Sequence, residues 1–353
     1  MTPANKNRKR PRVLSGMRPT GKLHLGNFVG ALDNWVRLQK DYDCFFFVAD
    51  WHALTTDYAD TSQVKRNSVE VLLDWLAAGL DPKQCTMFIQ SHVPQHAELH
   101  LLFSMITPLG WLERVPTYKE QRENIRDKDL STYGFLGYPL LQSADILIYQ
   151  ADYVPVGEDQ APHIELTREV ARRFNAFYGG KRGWSFPEPQ TLFTPSPKLP
   201  GTDGRKMSKS YDNVILMTEP EDSLRAKLKT MVTDPARVRR SDPGNPDVCP
   251  VGDLHKLFSS QETLAKVYEG CRSAGIGCIE CKAWAADALV QVLAPMQERR
   301  RKYEEKPRLA WDILEEGSTR AARAAEATMQ QVRAAMGMSP EYEPPDSGKT
   351  AGK

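Results

Sequence analysis

The sequence predicts an α/β protein: a doubly wound parallel Rossmann-like sheet followed by an α-helical C-terminal domain. Three observations carry this reading. Short apolar segments alternate with helical patterns through the first half of the chain, the order that builds a parallel sheet with helices on its faces. One segment, Cys44–Ala49, is apolar throughout and rich in aromatics, the mark of a strand buried on both sides. After residue 183 the pattern changes. Pro187, Pro189, Pro195, Pro197 and Pro200 exclude a helix there, and from Glu219 the chain is helical and Ala-rich.

Each element follows in order. Residues 1–11 read as a mobile basic tail. Residues 12–16 form a short buried strand that ends in a turn, followed by a polar loop and a helix over about 23–39. Val64 to Gly79 is amphipathic, closed by Gly79 and by Asp81-Pro82. Thr86–Gln90 is a second buried strand, His96–Ile106 and Leu141–Tyr149 are apolar helices, Tyr153–Val156 is a strand and Ile164–Phe177 a helix. Residues 187–200 are a connector, and 284–338 two long helices. The expected domains are a sheet domain at 12–196, a connector at 197–213 and a helical domain at 214–338, with a disordered tail at 339–353.

Composition excludes several classes. Lys and Arg number 47 against 45 Asp and Glu in 353 residues, a net charge of +2. Any nucleic-acid partner must therefore meet a local basic patch. No apolar run approaches the ~18 residues of a membrane span, and no apolar stretch follows the basic N-terminus as a secretory signal requires. Six cysteines are too sparse for a disulfide scaffold, so a cytoplasmic chain with reduced thiols is expected.

Two segments carry phosphate chemistry. His24-Leu25-Gly26-Asn27 follows a strand and turn and opens a helix. A helix start offers unpaired N–H groups and a partial positive charge. Gly26 leaves room for a nucleotide base, and His24, supported by Asn27, can donate to phosphate oxygens. Lys206-Met207-Ser208-Lys209-Ser210 follows the connector and Gly201-Thr-Asp-Gly204. Lys206 and Lys209 can converge on one polyphosphate and stabilise charge on a departing pyrophosphate. The glycines fit neither a Walker A frame nor a GxGxxG turn.

In this order, about 180 residues apart, the two segments resemble the nucleotide signatures of the class I aminoacyl-tRNA synthetases, with Asn27 in place of the usual final His. Ser15–Lys22, Val48–Thr56, Val156–Gln160 and His163–Arg168 are similar to the bacterial tryptophanyl branch of that family, and the resemblance covers about 12–338. It implies a tryptophan–tRNA ligase that forms tryptophanyl-adenylate from L-tryptophan and ATP with Mg²⁺ and passes it to tRNA(Trp), working as a homodimer. It assigns His24, Asn27, Lys206 and Lys209 to catalysis. Arg18, Thr20, Gly26, Gly157, Glu158, Asp159, Met207, Ser208 and Ser210 join them around ATP. Segment 157–160 also follows a buried strand, at the sheet edge where open α/β folds bind ligands.

Tyr138, Gln142 and Asp145 are spaced four and three apart, on one face of a helix. A carboxylate among Leu140, Leu141, Ala144, Ile146 and Leu147 needs a strong partner, and an indole N–H is donor-only. The resemblance gives Asp145 that role, with Gln160 also at the amino acid. The Tyr–Gln–Asp pattern is similar to tyrosyl-tRNA synthetases too, so a tyrosyl-like enzyme stands as the alternative, and a non-catalytic iron–sulfur RNA-binding relative as a second.

Cys249, Cys271, Cys278 and Cys281 are spaced C-x21-C-x6-C-x2-C. Four thiolates suit zinc or a [4Fe–4S] cluster. A zinc ribbon has two C-x2-C knuckles where this chain has one, and some tryptophanyl-tRNA synthetases carry a cluster at nearly this spacing. Cys44 and Cys85 read as inert core thiols. Arg237-Val-Arg-Arg240 beside Cys249 suggests a platform for an anticodon, and Arg299-Arg-Arg-Lys302 reads equally as a solvated helix face.

Overall fold

The computed structural model describes residues 10–124, 129–179, 184–193 and 199–339, without the side chains of 121–124 and Asp159. The two tail assignments and Pro195 and Pro197 fall almost wholly outside these. Among the described residues the strands are β1 (Arg12–Met17), β2 (Asp43–Val48), β3 (Cys85–Ile89), β4 (Tyr153–Val156) and β5 (Gln190–Phe193). All pair in parallel in the order β3-β2-β1-β4-β5. β5 lies in the Pro-rich connector, where no strand was expected. It pairs only with β4, and an edge strand tolerates flanking prolines.

The helices that frame the site are α1 (residues 25–38), α2 (Asp50–Asp57), α3 (Val64–Ala78), α4 (Gln95–Ser104), α5 (Tyr133–Ile148), α6 (Ala161–Tyr178), α7 (Cys278–Glu304) and α8 (Pro307–Ala335). α1 is π-wound over Phe28–Leu32, a local widening that recurs at functional sites.

Strand alternation sorts the side chains onto two faces. Val13, Cys44, Phe46, Val48, Cys85, Met87 and Ile89 face one core with α1, α3 and α7. Leu14, Phe45, Phe47 and Phe88 face the other with α4, α5 and α6. Helix α8 serves both: Ala310, Ile313 and Leu314 join the first core, and Ala321, Ala325, Met329 and Val332 the second. It crosses the β3 edge at Gly317, where a Cβ would lie 1.8 Å from the Met87 carbonyl oxygen. Arg320 donates to the Cys85 carbonyl at 3.2 Å, so the open sheet edge is covered.

Candidate active site

The connections run from β1 out to β3 on one side and through β4 to β5 on the other, so the order reverses between β1 and β4. Ligands bind open α/β sheets at such a switch point. A cavity of about 380 Å³ lies there, lined by Gly16, His52, Tyr138, Gln142, Asp145 and Gln160 among others. A Cβ on Gly16 would meet the Phe47 ring at 2.5 Å, so glycine lets that ring stand against β1.

Helix α5 does present Tyr138, Gln142 and Asp145 to one cavity. Asp145 is 1% exposed, and its charge is met by protein donors. Oδ1 accepts from His96 Nδ1 at 2.6 Å and Gln90 Nε2 at 2.8 Å. Oδ2 accepts from His52 Nε2 at 2.8 Å and Gln90 Nε2 at 2.9 Å. Burial alone would raise this carboxyl; the hydrogen bonds from His52 and His96 overcome it and hold the group well below the usual carboxylate range. His96 Nε2 lies 2.8 Å from the Tyr149 hydroxyl. The His96 ring thus bridges the Tyr149 hydroxyl and the Asp145 carboxylate, one at each nitrogen. Tyr138 Oη is 2.9 Å from Thr117 Oγ1, itself 2.6 Å from His163 Nε2.

The two phosphate segments meet at the start of α1, whose Gly30 and Ala31 line this cavity. His24 is the N-cap of α1. Its Nδ1 accepts from Asn27 N–H at 3.3 Å, and Asn27 Oδ1 accepts from His24 N–H at 3.1 Å. This reciprocal cap uses Nδ1 as acceptor and leaves the ring proton on Nε2. Burial, then the Lys209 charge, push the imidazole down to about 4, so His24 is a neutral donor at pH 7. A Cβ on Gly26 would lie 2.9 Å from the His24 ring and 3.6 Å from Met207 Cβ. Buried Met207 thus anchors the second segment over the first, and Lys209 Nζ donates to the Thr20 carbonyl at 2.6 Å. Ser208 N–H donates to Asn213 Oδ1 at 2.8 Å, and the Ser208 and Ser210 hydroxyls lie 2.9 Å apart.

The remaining expected residues separate. Arg18 lines the cavity, but its guanidinium is engaged on α2 by the Ala53 carbonyl, Thr56 and, at 2.9 Å, Asp57. Gly157 and Gln160 line the cavity, while Glu158 lines a separate shallow one with Arg168 and Phe193. Asp159 has no described side chain. Lys206 is exposed, and its carbonyl accepts from Asn213 at 3.1 Å. Sequence reading missed His52, Gln90 and His96. The signal was there in part: a buried Asp145 demands donors, and His96 sits in an apolar helix.

The four C-terminal cysteines, all free thiols, line one small cavity with Arg237. Burial pushes the Cys281 thiol up to about 12. Among the described residues no three His, Cys, Asp or Glu side chains are drawn together as a metal-ion ligand set. The basic runs also differ from expectation. Arg237 turns inward, donating to the carbonyls of Arg240 at 3.0 Å and Ile276 at 2.5 Å, because it plugs the cavity that the cysteines line; Arg239 and Arg240 are exposed. Arg300, in the run read as a solvated face, is 2% exposed, because acidic groups on α3 receive it.

A parallel sheet with a capped helix start and a two-lysine segment facing it is the arrangement of a class I adenylate-forming synthetase. A model of the class I tRNA synthetases for tryptophan and tyrosine matches residues 6–294. The chain is 50% identical to the tryptophan–tRNA ligase of Ralstonia nicotianae, over 93% of this chain and 98% of that one. It is 54% identical to that of Thermotoga maritima, over 93% and 99%. The crystal structure of Campylobacter jejuni tryptophanyl-tRNA synthetase complexed with ADP and tryptophan superposes with a TM-score of 0.82 at 31% identity, covering 92% of this chain and 99% of that one. The chain belongs to the tryptophanyl-tRNA synthetases, the ligases that join tryptophan to its tRNA. Among the described residues no helix is long and apolar enough to cross a membrane.

Proposed function

We propose that the 380 Å³ cavity holds L-tryptophan and that the facing segments at His24–Asn27 and Lys206–Ser210 hold ATP, which arrives with its Mg²⁺. The observation that carries this is the ionised, buried carboxylate of Asp145 at the cavity wall. Gln90 spans both oxygens through one nitrogen, and the indole N–H completes the donor set. Tyr138, Gln142 and Gln160 frame the ring. The tryptophan carboxylate attacks the α-phosphorus, the bond to pyrophosphate breaks, and tryptophanyl-adenylate forms. Neutral His24 donates through Nε2, and Lys206 and Lys209 meet the charge that grows on pyrophosphate. A terminal ribose hydroxyl of tRNA(Trp) then attacks the mixed anhydride and AMP leaves. No protein nucleophile is needed, and catalysis is positioning and charge stabilisation. Arg18, Thr20, Gly26, Gly157, Glu158, Asp159, Met207, Ser208 and Ser210 complete the nucleotide site. Asp145→Ala is expected to abolish tryptophan-dependent ATP–pyrophosphate exchange; unchanged exchange removes Asp145 from the pocket.

In this reading residues 12–196 form the catalytic domain, 197–213 the connector bearing the lysine loop, and 214–338 the anticodon-binding domain of a cytoplasmic enzyme. Leu101, Met105, Leu109 and Tyr133 are 54–68% exposed around α4, and this apolar face supports a homodimer; a monomer by light scattering would count against it. Cys249, Cys271, Cys278 and Cys281 hold a [4Fe–4S] cluster, with zinc as the alternative. What supports the reading is the chemistry of the donors: four thiols line one cavity beside the Arg237 cation, with Gly244 kept bare because a Cβ would lie 2.8 Å from Cys271 Sγ, although they are not drawn together as a metal-ion ligand set. Such a cluster supplies a compact anionic cross-link for a helical domain. Anaerobically purified protein is expected to absorb near ~400 nm, as iron–thiolate ligation does; colourless protein with stoichiometric zinc overturns the assignment.

A further inference from the structure

Helix α7 reaches the ATP site by two side chains that no part of the reaction uses. Arg300 and Asp74 are buried, 2% and 0% exposed. Arg300 donates to Asp74 and to Glu70, both on α3, and to Glu304 at 2.6 Å. The other oxygen of Asp74 accepts the backbone N–H of Leu23 at 2.6 Å. Leu23 immediately precedes the His24 cap. The backbone around His24 in turn pairs with the segment that follows the lysine loop: Leu25 N–H donates to the Ile215 carbonyl and Met217 N–H to the Leu23 carbonyl, each at 2.9 Å. One turn before Arg300, Gln297 donates to the carbonyls of Met217 and Glu219 at 3.2 and 3.0 Å. One helix therefore holds the backbone beside both phosphate segments from behind: Leu23, next to the His24 cap, through Asp74, and Met217 and Glu219, beyond the lysine loop, directly.

We infer that Gln297 and Arg300 are positioning residues for ATP, holding the His24 cap and the lysine loop in register from α7. The inference rests on the ATP site proposed above. The same helix begins at Cys278 and Cys281 and has 27 residues, about 40 Å at 1.5 Å per residue, so the grip is continuous with the cysteine site at its far end. The groups that face Asp74 are Arg300, Glu70 and the Leu23 N–H, and its charge in turn reaches Lys209 on the loop. A buried ion pair by itself contributes little to stability. Its value here is the fixed direction it gives the Asp74 carboxylate.

The test is ATP–pyrophosphate exchange with the full-length enzyme, reading the Michaelis constants for ATP and tryptophan separately. Gln297→Ala and Arg300→Gln are each expected to raise KM for ATP about tenfold, the effect of one well-placed polar contact, with KM for tryptophan unchanged. The apolar pair Asp74→Leu/Arg300→Leu, which leaves the buried Leu23 N–H without its acceptor, is expected to melt lower than the parent and to keep the raised KM for ATP. An unchanged KM for ATP in Gln297→Ala, or KM values for both substrates rising together, overturns the inference. If Arg300→Gln does not fold, Gln297→Ala decides alone, since it removes no charge. Lys209→Ala is the control for the ATP site itself: no effect there would sink that reading, whereas an effect there with none at Gln297 or Arg300 sinks only this one.

Discussion

His24 shows how one side chain is tuned by its surroundings. Burial, then Lys209, hold its pKa at about 4, so it is neutral across the working range and donates without carrying charge. Its imidazole is expected to titrate near 4 by NMR, and exchange activity to show no His24 step above about pH 5; a midpoint near 6.5 would contradict this. Asp145 is the opposite case, an acid held low. A group with a depressed folded pKa contributes stability that is fully present above the unfolded value of about 3.9 and is lost as pH falls through the folded value. Acid unfolding in this enzyme should therefore include protonation of Asp145. His96→Leu removes a donor from that buried carboxylate and is expected to cost about 2–3 kcal/mol in denaturant titrations and to raise KM for tryptophan, whereas an unchanged midpoint would show that His52 and Gln90 suffice. Asp145 was legible in the sequence because a carboxylate stood out in an apolar helix. Its donors were not, because His52, Gln90 and His96 arrive from α2, the end of β3 and α4, and no local spacing links them.

At the scale of elements, the strands with strong apolar runs and most helices with clean periodicity stand where the sequence places them, but α5 starts at Tyr133, eight residues before the expected Leu141, and takes Pro139 into its interior. β5 has no such signal: four residues among prolines give no period, and only the register against Tyr153–Val156 makes Gln190–Phe193 a strand. The route of α8 was also hidden. Its periodicity marks a helix, but the crossing over β3 depends on Gly317, whose missing side chain lets the helix backbone touch the Met87 carbonyl. Gly317→Ala is expected to destabilise the protein by about 2–3 kcal/mol, since neither backbone can yield. A chemical-denaturation midpoint equal to the parent's would mean that α8 can lift off the edge without loss. The exposed Arg239 and Arg240 were foreseeable as a basic patch, while the inward turn of Arg237 was not, because it answers a cavity assembled from residues far along the chain.

For the whole molecule, residues on both sides of the proposed boundary between sheet domain and helical domain share one core. A single apolar core runs from Cys44, Phe46, Val48 and Met87 on the sheet through Trp75 and Leu76 on α3 to Leu289, Leu293 and Met296 on α7. Leu254 and Cys249 beside the cysteine site belong to the same core. Cutting the chain after the lysine loop would strip α7 from α3, remove the cover of β3 and strand Asp74 without Arg300. The apolar faces of α3 and of the β3 edge would then have no surface to bury against. The fragment 1–213 is accordingly expected to lack a cooperative thermal transition and to bind a hydrophobic dye, while the full chain melts as one unit. Cooperative melting of the fragment with exchange activity intact would show instead that the helical region is an appended module. If the single core holds, a tRNA bound at the helical end and an ATP bound at the His24 cap act on one body. A route between them runs through α7, which lines the cysteine cavity at Cys278 and Cys281 and holds Met217 and Asp74 beside the phosphate segments.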